Sequence, residues 1–204
     1  MKRLFAAVIG LIAIMLTVAG CTGRPPVLND DGWITLFDGS EESLRTNWDR
    51  VGTANWRIYR GSAMADAQTA KGSSFLVSKN NYTDFQVRVE FWASHDSNSG
   101  IYMRCADRKK ITDTSCYEAN IFDQRPDPLF GTGAIMHITP VNPMPKAGGK
   151  WNTYEITVRG NQITVWLNGH YTAEARDNKL KSGPIALQYG RGEVRFRKVQ
   201  IKPI

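Results

Sequence analysis

The sequence predicts an all-β fold, an antiparallel sandwich or jelly roll of two sheets, and three observations predict it. Short runs of alternating apolar and polar residues recur about eleven times between turn signals rich in Gly and Asn. Helical periodicity is almost absent. From Gly32 to Ile204 the chain offers about 170 residues, enough for one well-buried core and short for two.

In chain order the runs are WITLFDG, NWRIYRG, SSFLVS, FQVRVEFWA, GIYMRC, CYEANIFD, GAIMHIT, TYEITVRG, QITVWLNG, GPIALQYG and EVRFRKVQIK. VRGNQITVWLNG reads as one hairpin, because Gly160-Asn161 supplies the positive φ of a tight turn. In the last run, Val194, Phe196, Val199 and Ile201 share a face only if the register slips by one. That slip places a β-bulge near Arg197 or Lys198. No internal repeat or low-complexity tract is present.

Ahead of this domain, residues 1–20 read as a lipoprotein signal peptide. Lys2 and Arg3 are followed by LFAAVIGLIAIMLTVAG, uncharged up to Cys21. Val18-Ala19-Gly20-Cys21 resembles the bacterial lipobox, whose Cys becomes the lipidated first residue of the mature chain. A retained anchor helix is the other reading of the same run. Thr22 after the Cys, rather than Asp, is what that resemblance associates with sorting to the outer membrane. Residues 21–31 form a short tether stiffened by Pro25 and Pro26. The expected location is therefore the bacterial cell envelope, lipid-anchored, at the outer membrane.

The chain carries 26 Lys and Arg against 19 Asp and Glu, and residues 1–20 hold two of the basic groups and no acid. The remaining domain has a modest positive excess with no block of five or six like charges, so no nucleic-acid partner is expected. Three cysteines are present. With lipid on Cys21, Cys105 and Cys116 remain as a pair in an oxidising compartment, and a disulfide between them pins the hairpin IYMRC/CYEANIFD. A reactive thiol or metal pair is the alternative, but C-x-x-C spacing and a His cluster are both lacking. No cofactor or metal is expected, and His95 and His137 stand isolated.

Parity along the strands divides the residues into two sets. Val87, Val89, Phe91, Ile101, Met103, Ile156, Val158, Ile163, Val165, Leu167, Ile185 and Leu187 make the core face. The other face takes Arg88, Glu90, Trp92, Tyr102, Arg104, Glu118, Asn120, Thr164, Trp166, Asn168 and Gln188. Aromatic planes interleaved with bidentate hydrogen-bonding groups are what a carbohydrate groove requires. Blander readings remain open: a loop over Trp92 and Trp166, a cross-strand ion pair between Arg104 and Glu90 or Glu118, and a turn role for Asn168 before Gly169.

The order of WITLFDG, DFQVRVEFW, NSGIYMR, YEANIFD, Gly133-Ala134, Lys150-Trp151-Asn152, LNG, GPIALQ and FRKVQIK resembles the 3-keto-disaccharide hydrolase domain family over residues 32–204. The resemblance implies a concanavalin-like jelly roll with a sugar in its concave face. It also implies cleavage of glycosides oxidised to a ketone at C3, by C2 proton abstraction, elimination and hydration. On that reading Glu118 is the base and Arg104 the oxyanion stabiliser. Glu90 or Asp123 protonates the leaving oxygen, and Trp92, Tyr102, Asn120, Trp166, Asn168 and Gln188 position the sugar.

Two other functions stay open. One is a non-catalytic carbohydrate-binding lipoprotein. The other is a conventional glycoside hydrolase, disfavoured because the window Glu118 to Asp123 has Asn120 and Asp123 where an E-x-D-x-x-E strand has Asp and Glu. The oligomeric state is left open.

Overall fold

The structure, a computed structural model, describes residues 32–204; the expected signal peptide, Cys21 and the tether lie outside the described residues. Two antiparallel sheets pack face to face. The larger contains β1 (Ile34–Phe37), β3 (Arg57–Tyr59), β4 (Ser62–Ala65), β6 (Phe85–Ala93), β9 (Trp151–Arg159), β10 (Gln162–Leu167), β11 (His170–Arg176) and β13 (Val194–Pro203). Its order is β11-β10-β9-β6-β13-β4-β3, with β1 also paired to β13. The smaller runs β2 (Trp48–Val51), β5 (Ser74–Ser78), β12 (Ala186–Tyr189), β7 (Ser99–Met103), β8 (Tyr117–Ile121). This is the jelly-roll sandwich the alternation predicts.

The inner faces carry the expected core. Val87, Val89 and Phe91 of β6 and Ile156 and Val158 of β9 are buried in one cluster with Leu76, Ile101, Met103 and Leu187 of the smaller sheet. Each such side chain contributes about 1.5–3 kcal/mol. Phe91 stacks on Tyr154 with ring centres 5.2 Å apart. The register between β13 and β6 slips between Phe196 and Lys198, so a bulge at Arg197 lets Val194, Phe196, Val199 and Ile201 all point inward. Gly160 turns the β9–β10 hairpin at φ +55°, and Asn168 and Gly169 turn β10 into β11 at φ +53° and +76°.

Three features depart from the sequence reading. Helix α1 (Glu41–Asn47) buries only Leu44 and is capped by Ser40, whose hydroxyl accepts from the Ser43 amide at 3.1 Å. Seven residues are too short to display a helical period. GAIMHIT is not a strand: the chain folds back through paired Ile135 and Thr139 amides, with His137 at φ +62°. It still lies along the edge of β8, since the Met136 amide donates to Glu118 O and the Asn120 amide to Ala134 O.

The third departure matters most for function. Arg88, Glu90, Trp92 and Trp166 belong to the larger sheet, whereas Tyr102, Glu118, Asn120 and Gln188 belong to the smaller. The sheets share their inner faces, so these two outward sets lie on opposite sides of the molecule. Strand parity tells inside from outside but not which sheet a strand joins.

Candidate functional site

A cavity of about 460 Å³ lies on the outer face of the smaller sheet, within the size range of small-ligand sites. Its floor is Phe75 of β5, Tyr102 of β7, Glu118 and Asn120 of β8, and Gln188 of β12. Its walls are loops: Gly72 and Ser73, Asn98, the segment Ile111 to Asp113, Arg125 and Met136.

Glu118 is the carboxylate on the floor. It sits opposite Tyr102 in the β7–β8 register and is buried at 4% exposure. Burial pushes its carboxyl from the ordinary 4.5 up to about 8; the Tyr102 hydrogen bond pulls it down, Asp113 adds to the rise, and Arg125 opposes it. A buried carboxyl held near neutrality is a group tuned for proton transfer. Burial, reinforced by Glu118, drives the Tyr102 phenol far above its usual range, so it stays protonated and serves as a donor.

Two polar groups around Glu118 carry unused capacity. Gln188 Nε2 donates to Ser73 Oγ at 2.9 Å, while its buried Oε1 has no protein partner. Arg125 Nε is likewise buried and unpartnered. Orphaned buried polar atoms are uncommon and costly, and both residues line the cavity. Asn120 is fixed by donating Nδ2 to Phe130 O at 2.7 Å.

The disulfide between Cys105 and Cys116 is present. It closes the loop that carries Ile111, Thr112 and Asp113, and both cysteines pack with Phe75, Tyr102 and Ile111 beneath that wall. Asp113 Oδ2 meets His137 Nε2 at 2.8 Å, so the histidine read as isolated has a partner, and the pair ties the disulfide loop to the Ile135–Thr139 turn.

The expected site residues therefore divide. Glu118, Tyr102, Asn120 and Gln188 line one cavity. Arg104 does not. It follows the last residue of β7 at φ +50°, which breaks the strand's alternation. Its buried guanidinium is consumed by Thr83 O at 2.7 Å, Gly160 O at 2.7 Å, Leu180 O at 3.2 Å and Asp84 Oδ1 at 2.8 Å. Asp123 is spent as well: it accepts from Thr132 Oγ1 at 2.7 Å and from the amides of Ala147 and Gly148, organising the loop before β9.

Glu90 pairs with Arg197 on the outer face of the larger sheet, away from Glu118. On that face Trp92 lies beneath the Arg195 guanidinium, 4.7 Å from its ring centre, and Trp33 and Trp151 are covered in the same way by Arg88 and Arg197, each at 4.3 Å. Glu155, Glu193 and Glu90 neutralise those three arginines. The aromatic stripe is thus a self-satisfied ladder rather than an open sugar platform. Trp166 is exposed beside Tyr171, and Asn168 holds its turn by accepting from the Thr153 amide and donating to Asn152 Oδ1.

Sequence reasoning missed Arg125, Asp113 and the orphaned acceptor of Gln188. Arg125 and Asp113 sit in loops with no periodicity to orient them, and nothing in the sequence pattern distinguishes them from solvated charges. Among the described residues, no three His, Cys, Asp or Glu side chains are grouped to hold a metal ion.

A family model described as the 3-keto-alpha-glucoside-1,2-lyase-like domain matches residues 32–202. Among solved structures, the chain is similar to a candidate glycosyl hydrolase from Parabacteroides distasonis, with TM-score 0.73 and 18% identity, covering 88% of this chain and 99% of that one. It is also similar to the carbohydrate binding module CBM66 from Bacillus subtilis, with TM-score 0.57 and 16% identity, covering 83% and 94% of the two chains. A third is a Bacillus subtilis protein of unknown function with a galectin-like fold, with TM-score 0.64 and 10% identity, covering 82% and 94%. These likenesses show a shared fold. No curated protein matches the chain in sequence.

Proposed function

From the family to which the chain belongs, that of the 3-keto-alpha-glucoside-1,2-lyase-like domain, we propose that the Glu118 cavity binds a glycoside bearing a ketone at C3 and cleaves it by elimination. The observation that carries this reading is the buried Glu118 carboxyl, raised to about 8, in a cavity whose Gln188 Oε1 and Arg125 Nε lack protein partners.

The chemistry balances without an external reagent other than water. The C3 carbonyl acidifies the hydrogen on C2. Glu118 removes that proton, the electron pair forms an enediolate, and Arg125 takes over the role of stabilising the oxygen that the sequence assigned to Arg104. The bond from C1 to the aglycone oxygen then breaks as the C1–C2 double bond forms. Glu118, now carrying the proton, returns it to the leaving oxygen in place of Glu90 or Asp123. Water finally adds hydroxyl to C1 and hydrogen to C2. Tyr102 orients the carboxyl, while Asn120 and Gln188 hold ring hydroxyls.

We also propose that the mature chain is lipid-anchored through Cys21 in the bacterial envelope, at the outer membrane, on the strength of the lipobox-like Val18 to Cys21. Incorporation of labelled palmitate that is lost in Cys21→Ala tests this.

Incubation with a 3-keto-glucoside and its unoxidised parent tests the reaction. The keto sugar alone should be cleaved, with kcat falling about 10²–10⁴-fold in Glu118→Gln and the oxyanion-stabilising variant Arg125→Gln losing about 10²–10³-fold. Preferential cleavage of the parent identifies a conventional glycosidase, and cleavage of neither identifies a binding module; both outcomes overturn the reading.

A further inference from the structure

Trp166 and Asn168, two of the residues the sequence marks for sugar contact, lie beside and within a second cavity of about 600 Å³ between the loop Val141–Lys146 and the β10–β11 hairpin. None of its lining residues is shared with the Glu118 cavity. Lys146, Lys150 and His170 line it, and no carboxylate does. Tyr171 presents a 54% exposed residue to it and stands edge-on to Trp166, ring centres 5.7 Å apart. Asn168 and Thr172 add amide and hydroxyl groups.

The walls are held before any ligand arrives. Lys146 Nζ donates to Asp123 O at 2.7 Å, fixing the loop, and the two Asn168 hydrogen bonds, at 2.8 and 2.9 Å, fix the turn. That partner of the Lys146 ammonium is a neutral backbone carbonyl rather than a carboxylate. A preformed cleft with cations and no anion in its wall favours a negatively charged ligand. An exposed aromatic plane with amide and hydroxyl neighbours favours a pyranose ring. We propose that this cleft is a second saccharide site, separate from the Glu118 cavity and selective for acidic sugars carrying a uronate carboxylate. The Lys146 and Lys150 ammonium groups receive the carboxylate, and Tyr171 receives the sugar face.

Trigalacturonate and triglucuronate, each with its uncharged methyl ester, titrated into the full-chain protein test this by calorimetry and by tryptophan fluorescence. At least one acid should bind at least tenfold more tightly than its ester, and Lys150→Glu and Tyr171→Ala should each weaken it at least tenfold. Its affinity in Glu118→Gln should equal that of the wild type. The proposal is overturned if neither acid binds, if acid and ester bind equally, if Lys150→Glu leaves affinity unchanged, or if Glu118→Gln abolishes binding. The last result places the acid in the first cavity. Because these readouts record binding rather than turnover, a failure here leaves the Glu118 reaction standing.

Discussion

The Glu118 carboxyl occupies the space that a side chain on Gly100 needs: a Cβ at Gly100 collides with Glu118 Oε1 and comes within 3.0 Å of Cγ and 3.1 Å of Cδ. The two residues are diagonal neighbours across the β7–β8 ladder, where Gly100 faces Asn120 and Tyr102 faces Glu118. A missing side chain on one strand therefore sets the position of the acid on the next.

Gly100→Ala should accordingly push Glu118 out of place without unfolding the sheet. Overpacking of this kind costs about 1–3 kcal/mol, and a displacement near 1 Å lowers kcat/KM about 10²-fold. Urea unfolding and steady-state kinetics on the 3-keto-glucoside check both parts. Unaltered kinetics in a folded Gly100→Ala protein would contradict the coupling.

The Glu118 carboxyl gives the proposed reaction, in which it is the base, a definite pH dependence. As a base it works only when ionised, and its pKa is raised to about 8. The kcat/KM of the free enzyme should then rise about tenfold per pH unit up to roughly pH 8 and level off above it. Stability should move the opposite way. In the window from 4.5 to about 8 the unfolded chain has lost this proton and the folded chain retains it. Rising pH therefore removes up to about 1.4 kcal/mol of stability per unit. Glu118→Gln, which does not titrate, should be more stable relative to the wild type at pH 8 than at pH 5, as urea midpoints measured at the two values will show.

Arg104 should behave as a structural cation. Its guanidinium joins the start of β6, the β9–β10 turn and the Leu180 loop to the end of β7. Arg104→Met leaves three carbonyls without their donor, at about 1–3 kcal/mol for each that stays buried and unpaired, while Asp84, one-third exposed, keeps the Gly160 amide. The expected outcome is a large fall in the urea midpoint, with the KM of the remaining folded protein within about threefold of the wild type. A stable Arg104→Met protein with abolished turnover would restore Arg104 to the catalytic set.

The alternation of Val87, Val89 and Phe91, and the bulge implied by Phe196 and Val199, were legible because a strand's period of two writes inside and outside directly into the chain. Glu118, Tyr102, Asn120 and Gln188 were legible as one outward face for the same reason. The assignment of Trp92, Glu90 and Trp166 to that face failed because sheet membership is a long-range property, fixed by which strands hydrogen-bond. Arg104 was misplaced by one left-handed residue, invisible in a non-glycine sequence. Arg125 and Asp113 come from loops held by tertiary contacts, where local sequence carries no orientation.

The disulfide loop supplies the last test. Cys105 and Cys116 close a segment that brings Ile111, Thr112 and Asp113 to the cavity wall, and Asp113 grips His137 across to the neighbouring turn. Inside the loop, Ser115 Oγ accepts from the Thr112 amide, the Ser115 amide donates to Thr112 Oγ1, and the Ala106 amide donates to Ser115 O. Replacing both cysteines by Ser should lower stability by about 2–4 kcal/mol. Because the loop forms a wall and Glu118 stands on the sheet, KM for the keto sugar should rise more than kcat falls. If instead kcat drops while KM holds, Asp113 is acting on the chemistry at Glu118 rather than on access to the cavity. Asp113→Asn in the disulfide-intact protein then separates the two effects, since it removes the charge that helps raise the Glu118 carboxyl while leaving the wall in place.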